Sequence, residues 1–219
     1  MTDSTPERRG KWVILLIAGI PFAVLLTASL LWIAVERGQV DLIGALGTAN
    51  HGDLVSPPRS VLGFTFRDVA GRDVSWSDEQ AQWAILLIQN GDCDQACWDR
   101  LYETRQIHTA LGREAHRVGR VMIIDRPLAQ LPVTAPTDAE GGRSTSVSLA
   151  ELLEQEHPGI RTLEADHPTL LALAPESQAQ TAHWFLVDPA GWLMMRISDE
   201  LYFKDVLDDL RFLLKYSSD

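Results

Sequence analysis

With only two cysteines in 219 residues, Cys93 and Cys97, the chain cannot carry the framework of bridges that holds small secreted domains together. It also lacks cysteine pairs at zinc spacing, a glycine-rich phosphate loop and any internal repeat, so zinc-ribbon, nucleotide-cradling and solenoid architectures are set aside. Basic residues are scarce. Nineteen lysines and arginines stand against thirty aspartates and glutamates, giving a net charge of -11, a sign that argues against a nucleic-acid partner. Beyond the first eleven residues there are 16 basic and 28 acidic side chains, so the acidity belongs to the globular part.

Apolar side chains are plentiful, at 46% of the chain, enough for one core of ordinary size with a surplus. The surplus lies near the start. Residues 12–35 contain no charged side chain, and 24 such residues exceed the roughly 20 needed to span a bilayer, so they read as a transmembrane helix. A secretory signal would have a shorter apolar region and a small-residue cleavage site, whereas this run ends Trp32-Ile33-Ala34-Val35-Glu36-Arg37. Arg8, Arg9 and Lys11 precede the run and only Arg37 follows closely. Residues 1–11 are therefore expected in the cytoplasm, and everything after the helix outside, in a bacterium the periplasm, with the chain a single-pass protein of the inner membrane. Trp12 and Trp32 mark the two interfaces with the lipid, and Pro21 adds a tolerated kink.

An oxidising compartment permits a disulfide, which gives the two cysteines their interest. They follow the apolar run Trp83-Ala84-Ile85-Leu86-Leu87-Ile88, which reads as a central strand, and Asn90-Gly91-Asp92 supplies turn and cap chemistry before a helix. Both cysteines are expected on the first helical turn, where a separation of four puts them on one face within disulfide range. Dithiol, disulfide and two-thiolate metal site are all open to such a pair. A loop this short gains roughly 2 kcal/mol from a bridge, less than a long loop would, so reactivity is a better reason for the pair than stapling.

The rest of the chain reads in order. Residues 36–60, with Gly38, Gly44, Gly47, Gly52, Pro57 and Pro58, form a linker. Residues 64–74 alternate as a β-hairpin, and residues 98–111 form an amphipathic helix. Residues 120–125 form a second strand, parallel to the first. A Pro-, Gly- and Ser-rich loop at 132–145 leads to a helix with a capping box at Ser148 and Glu151, and a short helix covers 169–173. Residues 184–197 form a hairpin around Asp188-Pro189-Ala190-Gly191. Residues 203–216 form an amphipathic helix with Asp208, Asp209 and Arg211 facing out.

This order resembles the thioredoxin fold over residues 61–219, an α/β domain with a central mixed β-sheet flanked by helices, here preceded by one transmembrane helix. The Cys-x-x-x-Cys spacing, the 64–74 hairpin, the strand ending Asp125-Arg126-Pro127 and the Val187-Asp188-Pro189-Ala190-Gly191 turn more narrowly resemble the SCO/SenC family of membrane-anchored cytochrome oxidase assembly proteins. The resemblance implies a periplasmic role in maturing the copper centre of cytochrome c oxidase, with an oxidase subunit as partner, by carrying copper or by reducing the receiving cysteines. It implies copper ligation by Cys93, Cys97 and a histidine. The family has prolines where this chain has Asp94 and Trp98, and its histidine ligand falls on Gln180; His183 lies three residues later, and a local shift would bring it to the cysteines. A thioredoxin-type proline would fall near Ala182. Two further readings stand beside this one: an assembly scaffold with an inert disulfide, and a general thiol-disulfide oxidoreductase.

Physical chemistry bears on the site directly. Two thiolates with His183 or Met194 suit Cu(I). A helix N-terminus favours the thiolate, while Asp92, Asp94 and Asp99 oppose it. His108 and His116 are expected to face solvent, and His51, His157 and His167 to lie in loops beside glycine or proline.

Overall fold

A computed structural model of the chain describes residues 6–36, 50–78, 82–133, 147–176 and 183–217. Two units divide the chain, Met1–Ala49 and Asn50–Asp219. The first holds α1 (Pro6–Glu36), with Pro21 inside it. Among the described residues α1 is the one helix long and apolar enough to cross a membrane. Its segment Leu16–Ala34 has a mean hydropathy of 2.2.

The second unit begins with β1 (Asp53–Ser60), β2 (Thr65–Asp68), β3 (Asp73–Ser75) and β4 (Trp83–Gln89), and continues through α2 (Gln95–Ala110) and β5 (Val118–Ile124). A small pair, β6 (Pro132–Val133) and β7 (Val147–Ser148), leads to α3 (Leu149–Glu156). Then come β8 (Ile160–Glu164), α4 (His167–Leu173), β9 (His183–Val187), β10 (Trp192–Ser198) and α5 (Phe203–Tyr216). Eight strands form one sheet in the order β1-β10-β9-β4-β5-β8-β2-β3, and β6 pairs with β7 separately. β4, β5 and β8 run parallel, and the other pairs are antiparallel. This is the mixed, helix-flanked sheet of a thioredoxin-like domain.

β4 lies at the centre because all seven of its residues are buried, which only a strand covered on both faces achieves. Its side chains alternate between two apolar layers. Trp83, Ile85 and Leu87 pack with α2, α3 and α5, while Ala84, Leu86 and Ile88 pack with α4, β2 and the Val61 segment. β10 reaches both layers through a bulge: Leu193 pairs with Val187 and Met195 with Leu186, leaving Met194 as the extra residue. Leu193 therefore joins one layer, and Met195 and Ile197 the other. The 188–191 turn is closed by Asp188, whose carbonyl accepts from Gly191 N at 2.9 Å and whose Oδ1 accepts from Trp192 N at 2.8 Å; Gly191 takes a φ of 78°. Ser148 and Glu151 make the reciprocal capping box at the start of α3.

Several expectations need correcting. Residues 53–60, read as the end of a linker, form edge strand β1. Pro57 and Pro58 donate no ladder bonds, and an edge strand whose register shifts between Leu54 and Arg59 accommodates them. The 132–145 loop begins as β6, and its residues 134–145 lie outside the described residues, as do linker residues 37–49. Asp209 does not face out. It is 4% exposed, and its carboxylate accepts from His51 N at 2.8 Å and Gly52 N at 2.9 Å, with His51 Nδ1 at 3.0 Å. That clamp fastens the start of the second unit to α5, and the bond to Asp209 raises the His51 pKa. His108 is half-buried, with Nε2 2.9 Å from the Val118 carbonyl. His157 is buried at the end of α3, and His167 opens α4. Trp192 is exposed, unlike Trp184 in the core.

Two predictions follow from these buried polar groups. Asp209→Ala leaves the buried Gly52 N–H and the part-buried His51 N–H unpaired and should cost about 2 kcal/mol in chemical denaturation of the detergent-solubilised chain, against less than about 0.5 kcal/mol for Asp208→Ala. Burial, with Arg120 and Arg105 nearby, lowers the His157 pKa to about 4 from 6.5. The unfolded chain thus binds one more proton between pH 4 and 6.5, and the folded state loses stability as pH falls through that window. His157→Leu should flatten the acid limb of stability against pH by up to about 1.4 kcal/mol per unit.

Candidate functional site

At the end of β4 the chain turns through Asn90, Gly91 and Asp92, with Gly91 at a φ of 89° that favours glycine. Cys93 follows in an extended link, and Asp94, not a residue of 90–92, caps α2: its Oδ1 accepts from Cys97 N at 3.0 Å. Only Cys97 therefore stands on the helix. The cap carries the chain sharply into α2, so Cys93 comes beside Cys97 from outside the helix. Their Cα atoms are 5.1 Å apart and their sulfurs are bonded as a disulfide.

This disulfide is buried, with Cys93 0% and Cys97 1% exposed. The cover comes from the segment between β5 and α3. Cys93 N donates to the Pro132 carbonyl at 3.1 Å, and Cys93 forms a parallel bridge with Val133. Leu131, Val133 and Leu149 are buried in the same layer as the cysteines, and Leu149 N donates to the Leu131 carbonyl at 3.0 Å.

The Cys93 loop is also held from the sheet side. Gln89, the last residue of β4 and 5% exposed, donates from Nε2 to the carbonyls of Asp92 at 2.7 Å and Gly91 at 3.3 Å. Its Oε1 accepts from Arg100 Nη2 at 2.8 Å. Arg100 in turn donates from Nη1 to the His183 carbonyl at 3.2 Å and the Ile88 carbonyl at 3.4 Å, and from Nε to the Ala96 carbonyl at 3.1 Å. Burial lowers the Arg100 pKa, and Asp94 opposes that shift. On the outer side, Gly91 N donates to Asp125 Oδ2 at 3.2 Å, and Arg126 lies 3.7 Å from Asp92 and 3.0 Å from Asp125. The aspartates expected to oppose a thiolate are thus engaged elsewhere. Asp94 caps the helix, Asp92 faces Arg126, and Asp99 accepts from Gln95 Nε2 at 2.7 Å.

Of the residues singled out in the sequence, Cys93 and Cys97 come together and His183 does not join them. His183 stacks edge-on against Phe185 two residues along β9, with ring centroids 5.3 Å apart, so its ring lies on the Phe185 face of the sheet. Phe185 belongs to one apolar layer and the cysteines to the other. Burial lowers the His183 pKa, followed by the charges of Arg196 and Arg100. Met194 sits at the β10 bulge, and its neighbour Met195 shares the layer of the cysteines. Gln180 and Ala182 lie outside the described residues. No group of three His, Cys, Asp or Glu side chains among the described residues could hold a metal. With the sulfurs bonded to each other and the imidazole across the sheet, these residues do not fit a copper ligand set. Gln89 and Arg100 were missed in the sequence; the signal was a polar amide ending an otherwise apolar strand.

Residues 83–141 and 137–217 match the family described as "Transmembrane-like, thioredoxin-like, C-terminal domain". The chain belongs to this family. No curated protein matches it in sequence. Among solved structures it is similar in fold to yeast Sco1, at 17% identity over 75% of this chain and 99% of that one, with a TM-score of 0.52. Yeast Sco1 with copper bound matches at 16% identity over 78% and 97%, TM-score 0.50, and Arabidopsis thaliana ScoI with copper bound at 14% over 70% and 97%, TM-score 0.50. The resemblance to Sco proteins thus extends to the whole fold at divergent sequence.

Because the Asp94 cap sets the entry of α2, Asp94→Ala should cost about 1 kcal/mol in chemical denaturation, while Asp94→Asn, which keeps the acceptor, should cost less.

Proposed function

We propose that this chain is a membrane-anchored, periplasmic thioredoxin-like protein that assists cytochrome c oxidase assembly by thiol-disulfide exchange at Cys93 and Cys97. In this reading residues 1–11 are cytoplasmic, residues 12–35 span the inner membrane, and the domain that starts at β1 works outside it. The observation that carries the proposal is the bonded pair at the junction of the central strand with the helix N-terminus, where the helix dipole stabilises a thiolate once the bridge is open. The likeness to Sco folds supports oxidase assembly as the setting.

The chemistry balances as a two-electron exchange. An upstream dithiol reduces the pair: its thiolate attacks one sulfur, the Cys93–Cys97 bond breaks, and its second thiol resolves the mixed disulfide. Two electrons and two protons then reside on Cys93 and Cys97. The reduced pair passes them to a disulfide of the receiving oxidase subunit and returns to its bonded form. Exchange is favoured over stable copper carriage because His183 lies across the sheet. The near-complete burial of the pair favours a second reading, an assembly scaffold in which the bridge is inert.

Cells carrying Cys93→Ser together with Cys97→Ser should lose most cytochrome c oxidase activity while the protein remains at normal level in the membrane. Full activity with normal oxidase copper content would sink the exchange reading and leave the scaffold. Titration of the reduced, detergent-solubilised chain with Cu(I) should show no stoichiometric site; one copper per chain, dependent on both cysteines, would restore copper carriage.

A further inference from the structure

Gln89 occupies a position that a central strand would ordinarily fill with an apolar residue. It is buried at the last step of an otherwise apolar β4, directly before the loop that delivers Cys93. Its amide has one arrangement that satisfies its neighbours. Arg100 offers only donors, so the amide oxygen must face the guanidinium, and the NH2 group is then left to face the carbonyls of Gly91 and Asp92. Arg100 is fixed in its turn by three main-chain carbonyls, one each on α2, β4 and β9. A guanidinium locked among three elements thereby orients an amide that grips the two residues before Cys93. The grip acts on the backbone carbonyls of the loop and not on the sulfurs.

We infer that Gln89 and Arg100 are a pair of positioning residues for the Cys93–Cys97 site, which hold the Cys93 loop so that its thiol stays within bonding reach of Cys97 after reduction. The inference rests on the exchange reading above. Closure of the pair is an intramolecular step, whose equilibrium follows the effective concentration of one thiol at the other. A loop held at two carbonyls keeps that concentration high and the disulfide favoured. A freed loop lets Cys93 move off and favours the dithiol. Since Gln89 is useful only in the orientation Arg100 imposes, the two act as one unit.

The test is a redox titration of the full detergent-solubilised chain against reduced and oxidised dithiothreitol. Acid quench, alkylation and mass spectrometry read the fraction reduced, and thermal unfolding is measured in parallel. In each equilibration dithiothreitol gives up two electrons and two protons and closes to its cyclic disulfide as the Cys93–Cys97 bond opens. Gln89→Met and Arg100→Met should each make the bridge about tenfold easier to reduce, the change expected from losing one net hydrogen bond's worth of positioning, and the double variant should shift no further than either alone. Gln89→Glu keeps an acceptor for Arg100 but cannot donate to the loop carbonyls. It should shift the equilibrium at least as far as Gln89→Met does, and it should lower the melting temperature of the oxidised chain more than that of the reduced chain, whereas a purely structural role would lower the two alike. Variants that titrate at the unaltered midpoint, or single shifts that multiply in the double variant, would overturn the inference. An unaltered chain that stays oxidised at every dithiothreitol ratio while folded would instead overturn the exchange reading, and this inference with it.

Discussion

Burial of β4 on both faces is the constraint from which the rest of the second unit follows. A strand with all seven residues covered needs a neighbour on each side and a helical or loop layer above and below. β5 and β9 flank it, and two separate apolar layers sandwich it. The parallel partner β5 requires a crossover, which α2 supplies. That crossover has to start at the rim where β4 ends, so the cysteines stand at the C-terminal edge of the central strand because the fold must turn there.

What distinguishes the site is how thoroughly it is closed. Cys93 and Cys97 are among the most buried residues of their layer, and the segment after β5 gives Cys93 a main-chain hydrogen bond of its own. A thiolate cannot attack a sulfur it cannot reach, so exchange at this site depends on displacing the 131–133 segment as well as on thiol chemistry. The same closure lowers the local dielectric. It does not extend to the neighbouring aspartates: Asp92 pairs with Arg126 at 3.7 Å with both side chains exposed, where solvent screens the pair, and Asp94 caps α2 from an exposed position. The imidazole that a Cys2His copper site would use, by contrast, is turned to the other side of the sheet.

Buried polar groups were the least legible part of the molecule. Asp209 sits in a helix whose stripe Val206, Leu207, Leu210 and Leu214 could be read from spacing, yet its partners lie more than 150 residues away, at the amides of His51 and Gly52. Arg120, expected as the first residue of the 120–125 strand, is the third residue of β5. It is 5% exposed and donates to the Leu101 carbonyl at 3.0 Å and Thr104 Oγ1 at 3.1 Å across the sheet–helix interface. His157 looked like a loop residue because Pro158 follows it. In each case the residue type predicts exposure; for Asp209 and Arg120 a partner on another element offsets the burial, while His157 is buried with its Nδ1 unpaired and its pKa lowered in consequence.

The sequence by itself determined the apolar helix, the central strand, the parallel partner with its crossover, the Asp188–Gly191 hairpin, the amphipathic last helix and the location of the cysteines. Periodicity, turn residues and a six-residue apolar run are local signals, and these elements are local decisions. Tertiary structure alone decided that residues 53–60 complete the sheet edge, that the pair is bonded and covered, that His183 faces away from it, and that Gln89 and Arg100 hold its loop. Those outcomes depend on which strand face a side chain takes once register and bulge are set, and on partners far apart along the chain, neither of which a pattern within one segment contains.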